Sequence, residues 1–242
     1  MDPAGFEILY ESGPCLGVLK PAGLLTQAPP GIDSLEVRIK TFLKQRDEKS
    51  GNVYLGVPHR LDRPVSGAMV FARHVRAARR LAKQFEARSV GKTYWACVEG
   101  QVEPAEGTWR DVLWKVHGQP RALVVDESHP GGQLAILHYR TIGHHAHGSW
   151  LEIELETGRT HQVRVQAASR GHPIIGDLLY GSTVSFGPQR DDERLRAIAL
   201  HARTLSFAHP MTREPVTLVA PPTEVWRQLN PTMSASVPTT KL

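Results

Sequence analysis

This sequence of 242 residues has only two cysteines, Cys15 and Cys97. Two thiols cannot build a disulfide framework or a cysteine-based zinc site, so a reducing compartment is expected. No apolar run approaches the roughly 20 residues needed to span a bilayer, which excludes a helical membrane anchor within it. The first residues lack a basic stretch followed by an apolar one, so no secretory leader is expected. Internal repeats and low-complexity linkers are also missing, so residues 1–230 read as a single domain and 231–242 as a short, disordered tail. Charge of either sign is moderate, with 29 Lys and Arg against 24 Asp and Glu. Its distribution is uneven. From Arg60 to Lys92, nine basic residues face two acids, Asp62 and Glu86, giving +7 there and −2 over the remainder. A local basic stretch is the electrostatic footprint of a polyphosphate partner, although a solvated helix face has the same composition.

That stretch begins with the densest chemical segment of the chain, His59-Arg60-Leu61-Asp62-Arg63-Pro64-Val65-Ser66-Gly67. It sets one carboxylate between two arginines in a segment that Pro64 and Gly67 mark as a turn. Turns held by a rigid scaffold often carry catalytic groups. A second dense segment runs Thr157-Gly158-Arg159-Thr160-His161-Gln162-Val163-Arg164-Val165, followed by Gly171-His172-Pro173-Ile174-Ile175-Gly176-Asp177 and Tyr180-Gly181.

Periodicity places these segments on elements. Residues 74–90 carry Val75, Ala78, Leu81, Ala82 and Phe85 on one helical stripe, with Arg76, Arg79, Arg80 and Lys83 outside it. Thr93–Val98 has strand composition, and 108–140 reads as hairpins with β-like runs at Ala122–Val125 and Leu134–Tyr139. Leu151, Ile153 and Leu155 alternate with Glu152, Glu154 and Glu156, a half-buried strand that delivers Arg159–Gln162 at its end. A short helix then runs to just before Gly171. A charged loop, 191–196, precedes a strand over 198–207. Strands with a few helices and adjacent hairpins indicate an α+β class.

Together the two dense segments resemble the RluA family of pseudouridine synthases. Lys20-Pro21-Ala22-Gly23-Leu24, Lys92-Thr93-Tyr94, Leu200-His201-Ala202 and Phe207-Ala208-His209-Pro210 fall in the same order as that family's remaining motifs, so the resemblance covers about residues 6–222. It implies the pseudouridine synthase fold: a curved, mixed, mainly antiparallel sheet with flanking helices and a central catalytic cleft. It also implies isomerisation of a uridine in structured RNA without a cofactor or metal. The implied RNA is a transfer RNA or ribosomal RNA stem-loop, with no membrane and no obligatory protein partner, in the cytoplasm.

By the same resemblance Asp62 is the catalytic carboxylate, Arg164 its guanidinium partner and Tyr94 the aromatic at the uracil, with a phenol oxygen for proton transfer. Arg60 fills the space of the extruded base. His59, Arg159, His161 and Lys20 complete the expected RNA contacts. Two positions depart from the family pattern: Val65 stands where Thr is usual, and Gln166 where His is usual. Two other readings remain open from the residues. One is a metal-dependent hydrolase using His144, His145 and His147, and the other is a non-catalytic RNA-binding relative.

Overall fold

The computed structural model describes residues 5–229; the expected tail, 231–242, lies outside the described residues. Its strands are β1 (Glu7–Ser12), β2 (Cys15–Lys20), β3 (Ser66–Ala72), β4 (Gly91–Glu99), β5 (Glu106–Lys115), β6 (Ala122–Val125), β7 (Gln133–His145), β8 (Gly148–Leu155), β9 (Leu200–Ala208) and β10 (Pro215–Val219). They form one ten-stranded sheet in the order β1-β2-β3-β9-β4-β8-β7-β5-β6, with β10 alongside β9. Only β3 and β9 pair in parallel; the other pairings are antiparallel. The class is α+β, with a mixed and mainly antiparallel sheet, as expected.

Among the described residues three α-helices accompany the sheet: α1 (Leu35–Arg46), α2 (Val75–Glu86) and α3 (Gln162–Ala168). The sequence reading did not anticipate α1. Its local signals are clear in retrospect. The Ser34 side chain caps the Val37 N–H, Glu36 lies in the first turn, and Lys44 and Arg46 lie in the last, complementing the helix dipole. Leu35, Ile39 and Leu43 recur at helical spacing and are fully buried.

The central strands have apolar residues on both faces. Leu16, Val18, Met69 and Phe71 join α1, Leu61, Val65 and Val163 in the main core, with Tyr94 packed against it. Leu19, Ala68 and Val70 instead face Ala77 and Leu81 of α2 in a second core. Helix α2 therefore covers the sheet face opposite the one that carries Tyr94 and the Asp62 turn. This corrects the reading of 60–92 as one basic surface. The α2 stripe is also rotated from the expected one: Ala77 and Leu81 are buried, whereas Val75 is 47% exposed. Arg80 is turned to the Pro210 carbonyl (2.8 Å).

Helix α3 is short and buried on nearly all sides from Gln162 to Ala167. Such a helix gains its stability from tertiary packing rather than from its own length. Its underside meets a small cluster of Leu113, Ala122 and Ala135 from β5, β6 and β7, completed by Val165 and Tyr180. Gln166, the departure from the family pattern, is wholly buried here and its Nε2 donates to Asp111 Oδ2 (2.6 Å), tying α3 to β5.

Candidate active site

The turn that carries Asp62 is fastened at almost every residue. The Thr26 hydroxyl donates to the Leu61 carbonyl (2.9 Å) and accepts the Leu61 N–H (3.2 Å). The Val65 N–H closes the turn on the Asp62 carbonyl (3.1 Å), and the Gly23 N–H donates to the Arg63 carbonyl (2.8 Å). Arg63 Nε returns the contact to the Gly23 carbonyl (3.0 Å). Gly23 adopts φ +81°, where a side chain would be strained, and an added Cβ would stand 2.7 Å from the Leu195 carbonyl oxygen. Residues 20–26 thus form a clamp for 61–65. Arg63 serves that clamp through its contacts with Gly23 and forms no ion pair with Asp62 among the described residues.

Lys20 is the centre of the clamp. It was expected to contact RNA, but it is 0% exposed and has no surface to offer a ligand. Its Nζ donates to the carbonyls of Pro21 (2.8 Å), Arg63 (3.2 Å) and Val65 (2.8 Å). Burial pushes its pKa down to about 7, partly opposed by the negative charge of Asp62. His59 is tied into the scaffold as well. Its Nε2 accepts the Val70 N–H (3.0 Å), and its ring stacks on Phe85 at 4.5 Å. Burial, then the charge of Lys92, pushes its pKa down to about 3, so it is a neutral ring that holds the loop to β3 and α2.

Asp62 meets α3 and the residue before it. Arg164 Nη1 lies 3.4 Å and His161 Nε2 3.7 Å from its Oδ2, while its side chain remains 30% exposed. The expected pairing with Arg164 is present, but Asp62 is not the carboxylate that Arg164 grips in two places. That carboxylate is Asp177, whose Oδ2 accepts from Arg164 Nε (2.6 Å) and whose Oδ1 accepts from Nη2 (2.8 Å). Burial works against the charge on Arg164, but the Asp177 hydrogen bonds together with the negative charges of Asp177 and Asp62 raise its pKa. The guanidinium also lies over the Tyr180 ring at 5.0 Å. Asp177 and Tyr180 stand in the Gly176-Asp177 and Tyr180-Gly181 motifs, which the sequence reading quoted without assigning either a role.

His161 reaches Asp62 because its backbone is left-handed, with φ 56° and ψ 24°, immediately before α3. Histidine is among the non-glycine residues that tolerate this conformation. Its Nδ1 lies 2.8 Å from Tyr180 Oη, which accepts the Ala122 N–H at 2.8 Å. With the Tyr180 proton directed at Nδ1, Nε2–H faces Asp62. Burial lowers the His161 pKa, so the ring is neutral at neutral pH although Asp62 opposes the shift.

Tyr94 projects from β4, paired with Ile153 of β8 and Ala202 of β9 beside a register shift. Burial, then the nearby negative charge of Asp62, raises its phenol pKa, so it is a neutral phenol at physiological pH. Its hydroxyl makes no hydrogen bond among the described residues. Arg60 is exposed at the mouth of the turn. Arg159 is half-buried, with Nε donating to the Leu134 carbonyl (2.9 Å). Lys92 lies over Gly158, where an added Cβ would be 3.6 Å from its Nζ. The charge of Arg88 acts on both Lys92 and Arg159, adding to burial in lowering their pKa values. None of these three cations forms an ion pair among the described residues.

The two departures are absorbed locally. Val65 is buried in the core, and Ser66 makes the hydroxyl contact of this segment, 2.8 Å from His201 Nδ1. In the alternative histidine cluster, His145 Nδ1 accepts the His147 N–H (3.2 Å) and Nε2 lies 3.2 Å from the Ser149 carbonyl oxygen. That ring closes the β7–β8 hairpin.

The arrangement is a carboxylate presented on a fastened turn, backed by a buried guanidinium and beside a neutral phenol. A family model for RNA pseudouridylate synthase matches residues 15–169. An uncharacterized RNA pseudouridine synthase of Synechocystis is 34% identical over 218 residues, covering 89% of this chain and 65% of that protein. Ribosomal large subunit pseudouridine synthase D of Xylella fastidiosa is 37% identical over 231 residues, covering 92% and 68%. The chain spans about two thirds of the length of these curated relatives. Among solved structures, human RNA pseudouridylate synthase domain containing 4 aligns with a TM-score of 0.72 at 23% identity, over 90% of this chain and 89% of that one, a likeness of fold. On the family match and on these relatives, the chain belongs to the RNA pseudouridylate synthase family, a family of isomerases.

Proposed function

We propose that residues 1–230 form one catalytic domain that isomerises a specific uridine of structured RNA to pseudouridine, with Asp62 as the catalytic carboxylate. The observation that carries this reading is the environment of Asp62: 30% exposed toward the cleft, and held from behind by Arg164. A carboxylate so placed can bond to C1′ of the ribose as the uracil leaves, as one carboxylate does in retaining glycosidases. The detached uracil turns, C5 attacks C1′ and Asp62 is released. The C5 proton then departs and N1 is protonated.

Tyr94 packs against the turned ring and relays the C5 proton. As a neutral phenol it must pass on its own proton while accepting one, so it is not a standing base. Arg164 keeps Asp62 oriented through charge and geometry. A uridine in a folded RNA must first be extruded, at a cost of a few kcal/mol. The exposed Arg60 is the side chain that takes its place, and Arg159 and His161 border its path. No cofactor enters these steps.

The parent RNA is a stem-loop of ribosomal RNA or transfer RNA. The name of the Xylella fastidiosa relative, a ribosomal large subunit pseudouridine synthase, favours large-subunit ribosomal RNA. An RNA substrate and two buried free cysteines support a cytoplasmic location. The test is release of label from RNA tritiated at uracil C5. Wild type releases it, and Asp62→Asn, near in shape but without the nucleophilic charge, retains the fold and releases none. Turnover by Asp62→Asn within about tenfold of wild type would remove Asp62 from the mechanism.

A further inference from the structure

Beside the site, an open-sided cavity of about 310 Å³ lies between the β5–β6 hairpin and the loop that enters α3. Leu113 and Ala122 form its apolar floor; Trp114, Lys115, Arg159 and Thr160 form its walls. This volume is at the small end of ligand pockets, about 300–1,000 Å³, and suits one nucleotide rather than a duplex.

Three observations point to the same ligand chemistry. First, no carboxylate lines the cavity, yet Lys115 and Arg159 both do. The Arg159 guanidinium uses Nε on a backbone carbonyl and pairs with no acid among the described residues. Two cations without a counter-ion attract an anion. Second, Trp114 is among the residues that line the cavity and is half-buried on the hairpin, with His129 tilted against it at 4.8 Å. An aromatic beside unpaired cations is the composition of single-strand nucleic-acid sites.

Third, a short chain of contacts links the cavity to Asp62. Ala122 on its floor donates to Tyr180 Oη, Tyr180 contacts His161, and His161 Nε2 is 3.7 Å from Asp62. Two side chains therefore separate the cavity from the carboxylate, so a strand that places one nucleotide at Asp62 brings its neighbour here.

We propose that this cavity holds a nucleotide flanking the target uridine, its base against Trp114 and its phosphate on Arg159 and Lys115. The inference rests on the proposed function and adds a specificity element to it: the enzyme requires a base beside the uridine, not only a backbone.

The test uses the full chain and an RNA hairpin with a seven-uridine loop, together with the same hairpin carrying one abasic residue at each loop position in turn. Affinity is read by fluorescence anisotropy at fixed salt, and isomerisation by tritium release. For wild type, one abasic position beside the modified uridine should weaken binding about tenfold. Trp114→Ala should bind the intact hairpin about tenfold more weakly and become indifferent to that abasic position. Trp114→Phe, which keeps a stacking ring and guards against misfolding as the cause, should restore most of the affinity and the abasic sensitivity. Arg159→Gln should flatten the salt dependence while leaving the abasic sensitivity in place. If wild type isomerises the loop and Trp114→Ala shows the same affinity or the same abasic profile, the cavity is not a nucleotide site and only this inference falls. If wild type neither binds nor isomerises RNA, the proposed function itself falls and takes the cavity with it.

Discussion

Replacing Asp177 by Asn tests the arrangement that the sequence did not disclose. The amide keeps one acceptor oxygen for Arg164 but turns an N–H₂ group toward a guanidinium that can only donate. One of the two hydrogen bonds, at 2.6 and 2.8 Å, is lost, and Arg164 loses its principal counter-charge. Both side chains are buried, at 2% and 5% exposure, so solvent screening scarcely reduces the effect. Breaking a buried ion pair by changing one partner costs about 3–5 kcal/mol. Asp62, 3.4 Å away and partly exposed, retains some neutralisation, which puts the expected loss near the lower bound, about 3 kcal/mol. With a urea m-value of about 3 kcal/mol/M, the upper end for small proteins, the unfolding midpoint should fall by about 1 M.

Activity should fall as well, measured below the new midpoint. Without Asp177, the guanidinium shifts toward Asp62 and rotates the carboxylate away from C1′, and a displacement of about 1 Å can cost about 100-fold. Single-turnover tritium release reads this directly. A double-mutant cycle with Arg164→Met completes the experiment. Because each single change strands a buried charge and the double change strands neither, the two losses should be strongly non-additive in stability. Additive losses, or an Asp177→Asn midpoint equal to wild type, would refute the claim that Asp177 holds Arg164 in place.

Tyr94→Phe should keep stability within about 1 kcal/mol and stall after uracil detachment, whereas Tyr94→Leu should also weaken RNA binding; full activity in both would make Tyr94 a core residue only. Lys20→Met should loosen the 61–65 turn and lower the rate constant with little change in RNA affinity, and equal single-turnover rates would contradict the clamp. The Lys20 proton also has a signature in pH. Its pKa is about 7 when folded against an ordinary 10.5, so the unfolded chain binds that proton more tightly. The stability of wild type relative to Lys20→Met should therefore rise between about pH 7 and 10 and be level below pH 7, and a difference independent of pH in urea titrations would overturn this. Changing Arg88, Lys92 and Arg159 together to Gln should reduce the salt slope of RNA binding by about 2–3, near one per lost phosphate contact. Reversing Arg76 and Arg79, on the opposite sheet face, should change it far less. The converse result would place the RNA along α2.

Much of this protein is local and was therefore readable in the chain. Leu151 and Ile153 alternate with glutamates because the strand has one face in the core, and that pattern requires no partner to be known. The Asp62 turn, Tyr94 and Arg164 were legible because each stands in a compact motif. Helix α1 was overlooked although Ser34, Glu36 and the buried Leu35, Ile39 and Leu43 carry its signals. What only the tertiary structure decided concerns burial and partners far apart in sequence. Asp62 and Arg164 are 102 positions apart, and nothing local indicates that the guanidinium divides itself between Asp62 and Asp177. Lys20 read as an RNA contact and became a buried clamp once the sheet enclosed it, while His59 became a neutral, half-buried ring held between Val70 and Phe85. The basic stretch 60–92 read as one patch, but the chain crosses the sheet through β3 and leaves α2 on the far side. Sequence specifies which groups are present and their local periodicity; the low dielectric and the long-range contacts of the folded core decide which of them stay charged, which are exposed and which meet.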